Sequence, residues 1–228
     1  MSRSLLHKLQ LGLMLSGLWL LVGCGGRPLL PTSGEPSDQP TGSDFTDAFV
    51  PGQTGDWLLE RDDRGSSAIV NEELVITIVA PNTLQYASLQ EKIFGDFALE
   101  VDVTQRSGPA ESSYGILFRI QDDQQFYRFD ITGNGLYMIE RHESNGTWTR
   151  LVPDWVPTSA LNQGLNGANR LKVLASGPTL TFYANDELLT QVTDATFNEG
   201  LIGLDAGTFG GGNLQVSFDN LRITGNSP

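Results

Sequence analysis

The stretch Phe97-Ala98-Leu99-Glu100-Val101-Asp102-Val103 carries the clearest structural signal in this chain. Large apolar residues alternate along it with small or acidic ones, and a β-strand converts such a period of two into one buried and one polar face. The pattern therefore predicts a half-buried strand, with Glu100 and Asp102 together on its polar face.

Short segments of the same kind recur on both sides of this strand, and turn residues separate them. Asn134-Gly135 is typical of a tight hairpin, because both central residues of such a turn need a positive φ. Helical periodicity never extends beyond two turns. The further predicted strands are 74–79, 114–120, 126–131, 136–141, 148–152, 170–175, 180–184, 188–192, 201–206 and 214–223. This spacing predicts an all-β fold, a two-sheet antiparallel β-sandwich.

The N-terminus has the layout of an export signal. A basic start with Arg3 and Lys8 precedes the apolar residues 9–22, a run too short for a dedicated membrane span. The sequence Leu21-Val22-Gly23-Cys24 then resembles the lipobox of bacterial lipoproteins. That resemblance implies cleavage before Cys24, lipidation of Cys24 and attachment to a membrane. Cys24 is followed by Gly25 rather than by Asp, and the sorting rule of bacterial lipoproteins then favours the outer membrane or cell surface. A plain signal peptide or an uncleaved anchor is the alternative.

The predicted domain organisation follows from this leader. Residues 1–23 form the signal peptide, and residues 24–43 are the lipidated cysteine and a Pro, Gly, Ser and Thr tract that reads as a flexible tether. Residues 44–228 are long enough for a single domain with one core.

Composition excludes several classes of function. Cys24 is the only cysteine, and His142 is the only histidine outside the leader, so disulfides and multi-histidine metal sites are excluded from the domain. Of the 14 basic residues, two lie in the leader, which leaves 12 against 27 acidic residues and a net charge of −15. Nucleic acid is therefore not expected as a partner, and anionic polysaccharide is disfavoured. Neutral sugars, cations and basic partners remain open.

Residues 97–223 resemble the concanavalin A-like lectin/glucanase jelly roll, and within it the branch of 3-keto-disaccharide hydrolase and DUF1080-type domains. Most of the matching positions are strand starts, hairpins and core positions, so they specify fold better than function. The matching segments are 95–103, 114–119, 126–129, 169–173, 182–185 and 218–221. The resemblance implies a jelly roll and raises the activity of a 3-keto-glycoside hydrolase, but no catalytic motif of that group can be placed here.

Glucanases of this fold carry Glu-x-Asp-x-x-Glu on one strand, and the nearest match here begins at Glu100 and Asp102. Its last position is Gln105, which cannot donate a proton as an acid, and alternation places it on the other face. The pair of carboxyl groups that glycoside hydrolysis usually needs is therefore broken in this motif. No catalytic residue is assigned.

A binding face is the better-supported prediction. If the strands are neighbours, Glu100, Asp102, Arg119, Arg128 and Asp130 line one polar face of a sheet, where this fold often holds a concave groove. Sugar sites combine such planar polar groups with aromatic faces, and Trp148, near a hairpin, is the candidate platform. The alternative is a salt-bridged solvent face without a ligand, because exposed charge pairs are common and need no function.

A structural calcium ion is a further option that the resemblance raises. Related jelly rolls often hold one between the first and last strands, with an Asp of the last strand as a ligand. Asp219 matches that position, and Asp47, Asp44 or Gly52 would contribute from the N-terminal side. Calcium takes six or more oxygen ligands, some of which are backbone carbonyls.

These observations together predict a lipid-anchored, exported jelly-roll domain that binds a neutral carbohydrate or glycoconjugate without catalysis. A glycoside hydrolase would instead need a second carboxylate near Glu100 or Asp102. A structural or protein-binding lipoprotein would show a flat sheet face and an apolar patch elsewhere.

Overall fold

A computed structural model describes residues 44–225, and in this range it contains sixteen strands and no helix. The strands are β1 Phe45–Asp47, β2 Trp57–Leu59, β3 Gly65–Val70, β4 Glu73–Ile78, β5 Thr83–Phe94, β6 Phe97–Ser107, β7 Ser113–Asp122, β8 Gln125–Thr132, β9 Leu136–His142, β10 Trp148–Arg150, β11 Val156–Pro157, β12 Ala168–Ser176, β13 Thr179–Ala184, β14 Glu187–Thr193, β15 Gly200–Thr208 and β16 Leu214–Gly225. Accordingly, no membrane-spanning helix is found in the described part of the chain. The predicted leader, Cys24 and the tether lie outside the described residues.

The strands form two eight-stranded antiparallel sheets, which confirms the predicted sandwich. Sheet A has the order β14-β13-β12-β6-β16-β4-β3, with β1 also paired to β16. Sheet B has the order β10-β9-β8-β7-β15-β5-β2, with β11 also paired to β9. The predicted Asn134-Gly135 hairpin joins β8 to β9.

The core lies between the sheets and is rich in aromatic rings. Phe97 and Phe182 of sheet A meet Phe118 of sheet B, with ring centroids 6.1 Å apart in both pairs. Near the N-terminal edge, Phe49 is fully buried and packs 5.6 Å from the ring of Trp57. These rings come from segments far apart in the chain, so the closed core depends on both sheets being complete.

The prediction that the five charged site residues line one face of a single sheet is wrong. Glu100 and Asp102 lie on β6 in sheet A, whereas Arg119, Arg128 and Asp130 lie on β7 and β8 in sheet B. The chain crosses from one sheet to the other in the short loop between β6 and β7. In sequence such a crossing looks like a hairpin, because only the pairing partners distinguish the two.

Candidate functional site

Glu100 and Asp102 face outward from sheet A and are paired with basic residues of the neighbouring strand. Lys172 Nζ lies 2.7 Å from Glu100 Oε1, and Arg170 Nε lies 2.9 Å from Asp102 Oδ1. Gln105 is fully buried and donates to the carbonyl of Pro109, away from these acids. The row is therefore a partly exposed set of cross-strand ion pairs, apart from the other predicted site residues.

Arg119 does not lie on the polar face where the alternation placed it. It adopts a φ of 49° within an irregularity of β7 between Phe118 and Asp122, which turns its side chain into the interior. The guanidinium is fully buried and donates to the carbonyl oxygens of Phe197 (2.9 Å) and Gly95 (3.3 Å). Burial lowers the pKa of Arg119. In this position Arg119 connects loops and offers no surface to a ligand.

Arg128 is the centre of an ionic cluster on the outer face of sheet B. Its Nε lies 2.7 Å from Asp205 Oδ2, and its Nη2 lies 2.5 Å from Asp130 Oδ2. Nη2 also donates to Ser113 Oγ (3.0 Å), and Nη1 lies 3.4 Å from Glu140 Oε1. Thus one guanidinium serves three carboxyl groups. We call Arg128, Asp130, Glu140 and Asp205 the Arg128 cluster.

The register of sheet B explains how these residues meet. Asp205 of β15 lies opposite Gly115 of β7, and Gly115 lies opposite Asp130 of β8. A Cβ atom on Gly115 would approach Asp130 Oδ1 to 2.9 Å and the carbonyl oxygen of Phe129 to 2.0 Å. The missing side chain of Gly115 therefore makes room for both carboxyl groups above the middle strand.

Sequence reasoning placed Arg128, Asp130 and Trp148 in a ligand site, but it missed Asp205 and Glu140. A usable signal for Asp205 was present: it is an ionisable residue in the middle of the otherwise apolar strand Gly200–Thr208, and in the structure it is 0 % exposed. A buried charge of this kind requires a partner. Only the fold shows that the partner is Arg128, 77 residues earlier.

Burial raises the pKa of every carboxyl group in the Arg128 cluster. Burial raises the pKa of Asp130 well above its ordinary value, with Arg128 opposing and Asp205 adding to the rise. Burial also raises the pKa of Asp205 and of Glu140, against the attraction of Arg128. Burial alone would lower the pKa of Arg128, but the carboxylates raise it, so this guanidinium stays charged.

Aromatic side chains border the cluster. Trp148 is 38 % exposed, and its ring centroid lies 5.8 Å from Arg128 Cζ, within the range of a cation–π contact. The rings of Phe126 and His142 support it at 5.8 and 4.4 Å. On the other side, Tyr86 lies opposite Asp205 on the neighbouring strand. The outer face of sheet B thus offers an exposed aromatic plane beside buried hydrogen-bonding groups.

The predicted calcium ligands Asp47 and Asp219 both accept hydrogen bonds from neighbouring groups of the protein. The carboxylate of Asp47 accepts hydrogen bonds from the backbone N–H groups of Phe49 and Gly55 and from Trp57 Nε1, at 2.7–2.9 Å. These donors occupy three of its roughly four acceptor positions. Asp219 instead accepts from Asn220. No group of three His, Cys, Asp or Glu residues suited to a metal occurs within residues 44–225.

Comparison with known proteins assigns the chain to a family. Residues 42–224 match the model of the 3-keto-alpha-glucoside-1,2-lyase-like domain. The chain belongs to this family. The assignment confirms the resemblance that the sequence motifs indicated, and the matched segment of this lyase-like domain contains the whole Arg128 cluster.

Solved structures share the fold of this lyase-like domain at low sequence identity. The carbohydrate binding module CBM66 from Bacillus subtilis is 20% identical with a TM-score of 0.60, over 75% of this chain and 96% of that chain. A β-glucanase from Bacillus licheniformis is 13% identical with a TM-score of 0.59, over 82% and 100%. No curated protein sequence matches. At these identities the likeness establishes the jelly-roll fold.

Proposed function

We propose that this domain binds a carbohydrate on the outer face of sheet B, at Trp148 and the Arg128 cluster. The observation that carries the proposal is the position of the exposed Trp148 ring beside Arg128, which is itself held by three carboxyl groups. An aromatic plane covers the apolar C–H face of a sugar, and Arg128 and Glu140, the members of the cluster with an accessible side-chain edge, would exchange hydrogen bonds with its hydroxyl groups.

The relatives support this proposal. One structure of the same fold is a carbohydrate binding module, another is a β-glucanase, and the family itself is named for a glucoside lyase. The cluster contains three carboxyl groups and one arginine. It therefore matches a neutral sugar better than an anionic one, because the carboxyl groups would repel a negatively charged sugar. Lipidation at Cys24 would hold this site at a membrane surface outside the cytoplasm.

Replacing Trp148 with Ala should weaken glycan binding at least tenfold, because alanine removes the only large exposed ring beside Arg128 on the described surface. Binding is measured on a glycan array and by calorimetry with the purified protein. Arg170→Ala is the matched control on the outer face of sheet A and should leave affinity unchanged. If Asp102→Asn abolished binding and Trp148→Ala did not, the ligand face would be sheet A and the proposal would be wrong.

An enzymatic function is the second candidate, and Glu140 is the observation that favours it. Its side chain is 15% exposed, burial raises its pKa, and it contacts Arg128. On a 3-keto-glucoside, a carboxylate in this position would take the proton from C2, next to the ketone, while Arg128 stabilises the enolate oxygen. The electron pair then forms the C1–C2 double bond as the C1–O bond breaks, and the departing alkoxide takes a proton from water.

Glu140→Gln should abolish such an elimination, because the amide cannot accept the C2 proton, while glycan binding should fall less than tenfold. Release of the aglycone from a 3-keto-α-glucoside is measured by chromatography. Glu100→Gln, a carboxylate on the outer face of sheet A, is the control and should retain full activity. No turnover by the unsubstituted protein, or equal turnover in Glu140→Gln, would exclude this role.

A further inference from the structure

Two carboxyl groups of the Arg128 cluster face each other over a glycine. Asp205, Gly115 and Asp130 occupy one row across three neighbouring strands. The two aspartates are 0 % and 1 % exposed, so water does not solvate them. Asp205 Oδ1 has no N–H or hydroxyl donor as a partner, and the Ser113 hydroxyl is the one such donor beside Asp130. Buried oxygen atoms of this kind normally have a partner.

The charges around this pair do not balance when both groups are ionised. Arg128 is the one basic group in direct contact with the two aspartates. Glu140 of β9 adds a further acid, and Arg150 of β10 lies beyond it, opposite Glu140. The remaining neighbours include Tyr86 on β5, opposite Asp205, and Met138 on β9, opposite Asp130. Ser113 and Tyr114 on β7 lie close to the pair as well, and the two tyrosines are the titratable groups among these neighbours. Ionising both buried carboxyl groups beside one guanidinium is therefore disfavoured.

We propose that Asp130 and Asp205 share a single proton at neutral pH, so that together they carry one negative charge and neutralise Arg128. The proton lies in a hydrogen bond between the two carboxyl groups and gives the orphaned oxygen atoms a partner. Burial raises the pKa of both groups, which agrees with this arrangement. Asp205 is then a positioning residue: it holds Arg128 through Nε and does not itself meet a ligand.

The shared proton makes the site dependent on pH. Because the folded protein holds this proton above the pH at which an unfolded aspartate loses it, the folded state binds more protons, and stability falls as pH rises through the loss of the proton. If the proposed function holds, sugar affinity should fall over the pH range in which the shared proton is lost. Loss of the proton leaves the cluster with an uncompensated negative charge, and this disturbs the position of Arg128.

The test compares the unsubstituted protein with Asp205→Asn. Urea unfolding between pH 6 and pH 8.5 should show an unfolding equilibrium constant that rises about tenfold with pH in the unsubstituted protein. In Asp205→Asn the rise should be lost, because the amide gives Asp130 a hydrogen bond and lets it ionise against Arg128 alone. Asp194→Asn is the matched control: Asp194 pairs with Arg141, and its removal should leave the rise intact.

A titration of the aspartate side-chain carbons by ¹³C NMR gives an independent readout. One carboxyl of the Asp130 and Asp205 pair should titrate well above the ordinary range of an aspartate, and Asp205→Asn should move the remaining step back toward that range. The proposal of a shared proton would be wrong if the chemical shifts showed two ionised carboxylates at pH 6. It would also be wrong if unfolding of the unsubstituted protein and of Asp205→Asn depended on pH in the same way. Both readouts work without a ligand, so absent glycan binding would refute the proposed function and leave the carboxyl pair to be judged on its own.

Discussion

Arg128→Met should lower the free energy of unfolding by about 3–5 kcal/mol at pH 7, the size expected when one partner of a buried ion pair is removed. The change leaves Asp130 and Asp205 buried without a counter-charge, and Glu140 loses its contact as well. Methionine keeps part of the aliphatic stem, so the loss reports mainly on charge. Urea denaturation followed by fluorescence measures it.

The pH dependence of this loss identifies its cause. Without Arg128, each carboxyl group has a still higher pKa in the folded state, so the folded protein remains stable only where these groups are protonated. The loss should therefore be smallest below about pH 4 and grow as pH rises toward 8. Arg170→Met is the control, since its exposed pair with Asp102 should contribute less than about 1 kcal/mol. An equal loss at pH 4 and pH 8 would contradict the electrostatic explanation.

Arg119→Met should cost about 3 kcal/mol of stability with little dependence on pH between 5 and 8. The guanidinium is fully buried, and its removal leaves the carbonyl oxygens of Phe197 and Gly95 without this donor. Its carboxylate contact, Asp96 at 3.5 Å, is partly exposed and keeps a hydrogen bond from Gly177, so little charge is stranded.

Glycan binding separates the roles of the two arginines. If Arg119 is structural, Arg119→Met should bind glycan normally at temperatures where it remains folded, as checked by circular dichroism. If the folded variant selectively lost glycan affinity, Arg119 would take part in ligand binding, as the sequence analysis predicted. Loss of stability below about 1 kcal/mol would show that the buried guanidinium is dispensable.

The alternation of residues along each strand was sufficient to predict most of the fold. It placed Phe97 and Val101 in the core and Glu100 and Asp102 on the opposite face, and the structure has this arrangement. Alternation is a local property of the backbone, so sequence alone reveals it. It failed at Arg119, where an irregularity in β7 reverses the face without a clear local mark.

The sequence by itself determined that the described chain is built of strands, which faces of β6 and β8 are polar, and that the glucanase motif lacks its second acid. Only the tertiary structure decided that β6 and β8 belong to different sheets, and that Asp205 joins Asp130 across Gly115 beside Arg128. The physical reason is the distance along the chain over which each feature is determined. Side-chain direction follows from neighbours in the chain, whereas strand partners follow from how two whole sheets close over one core.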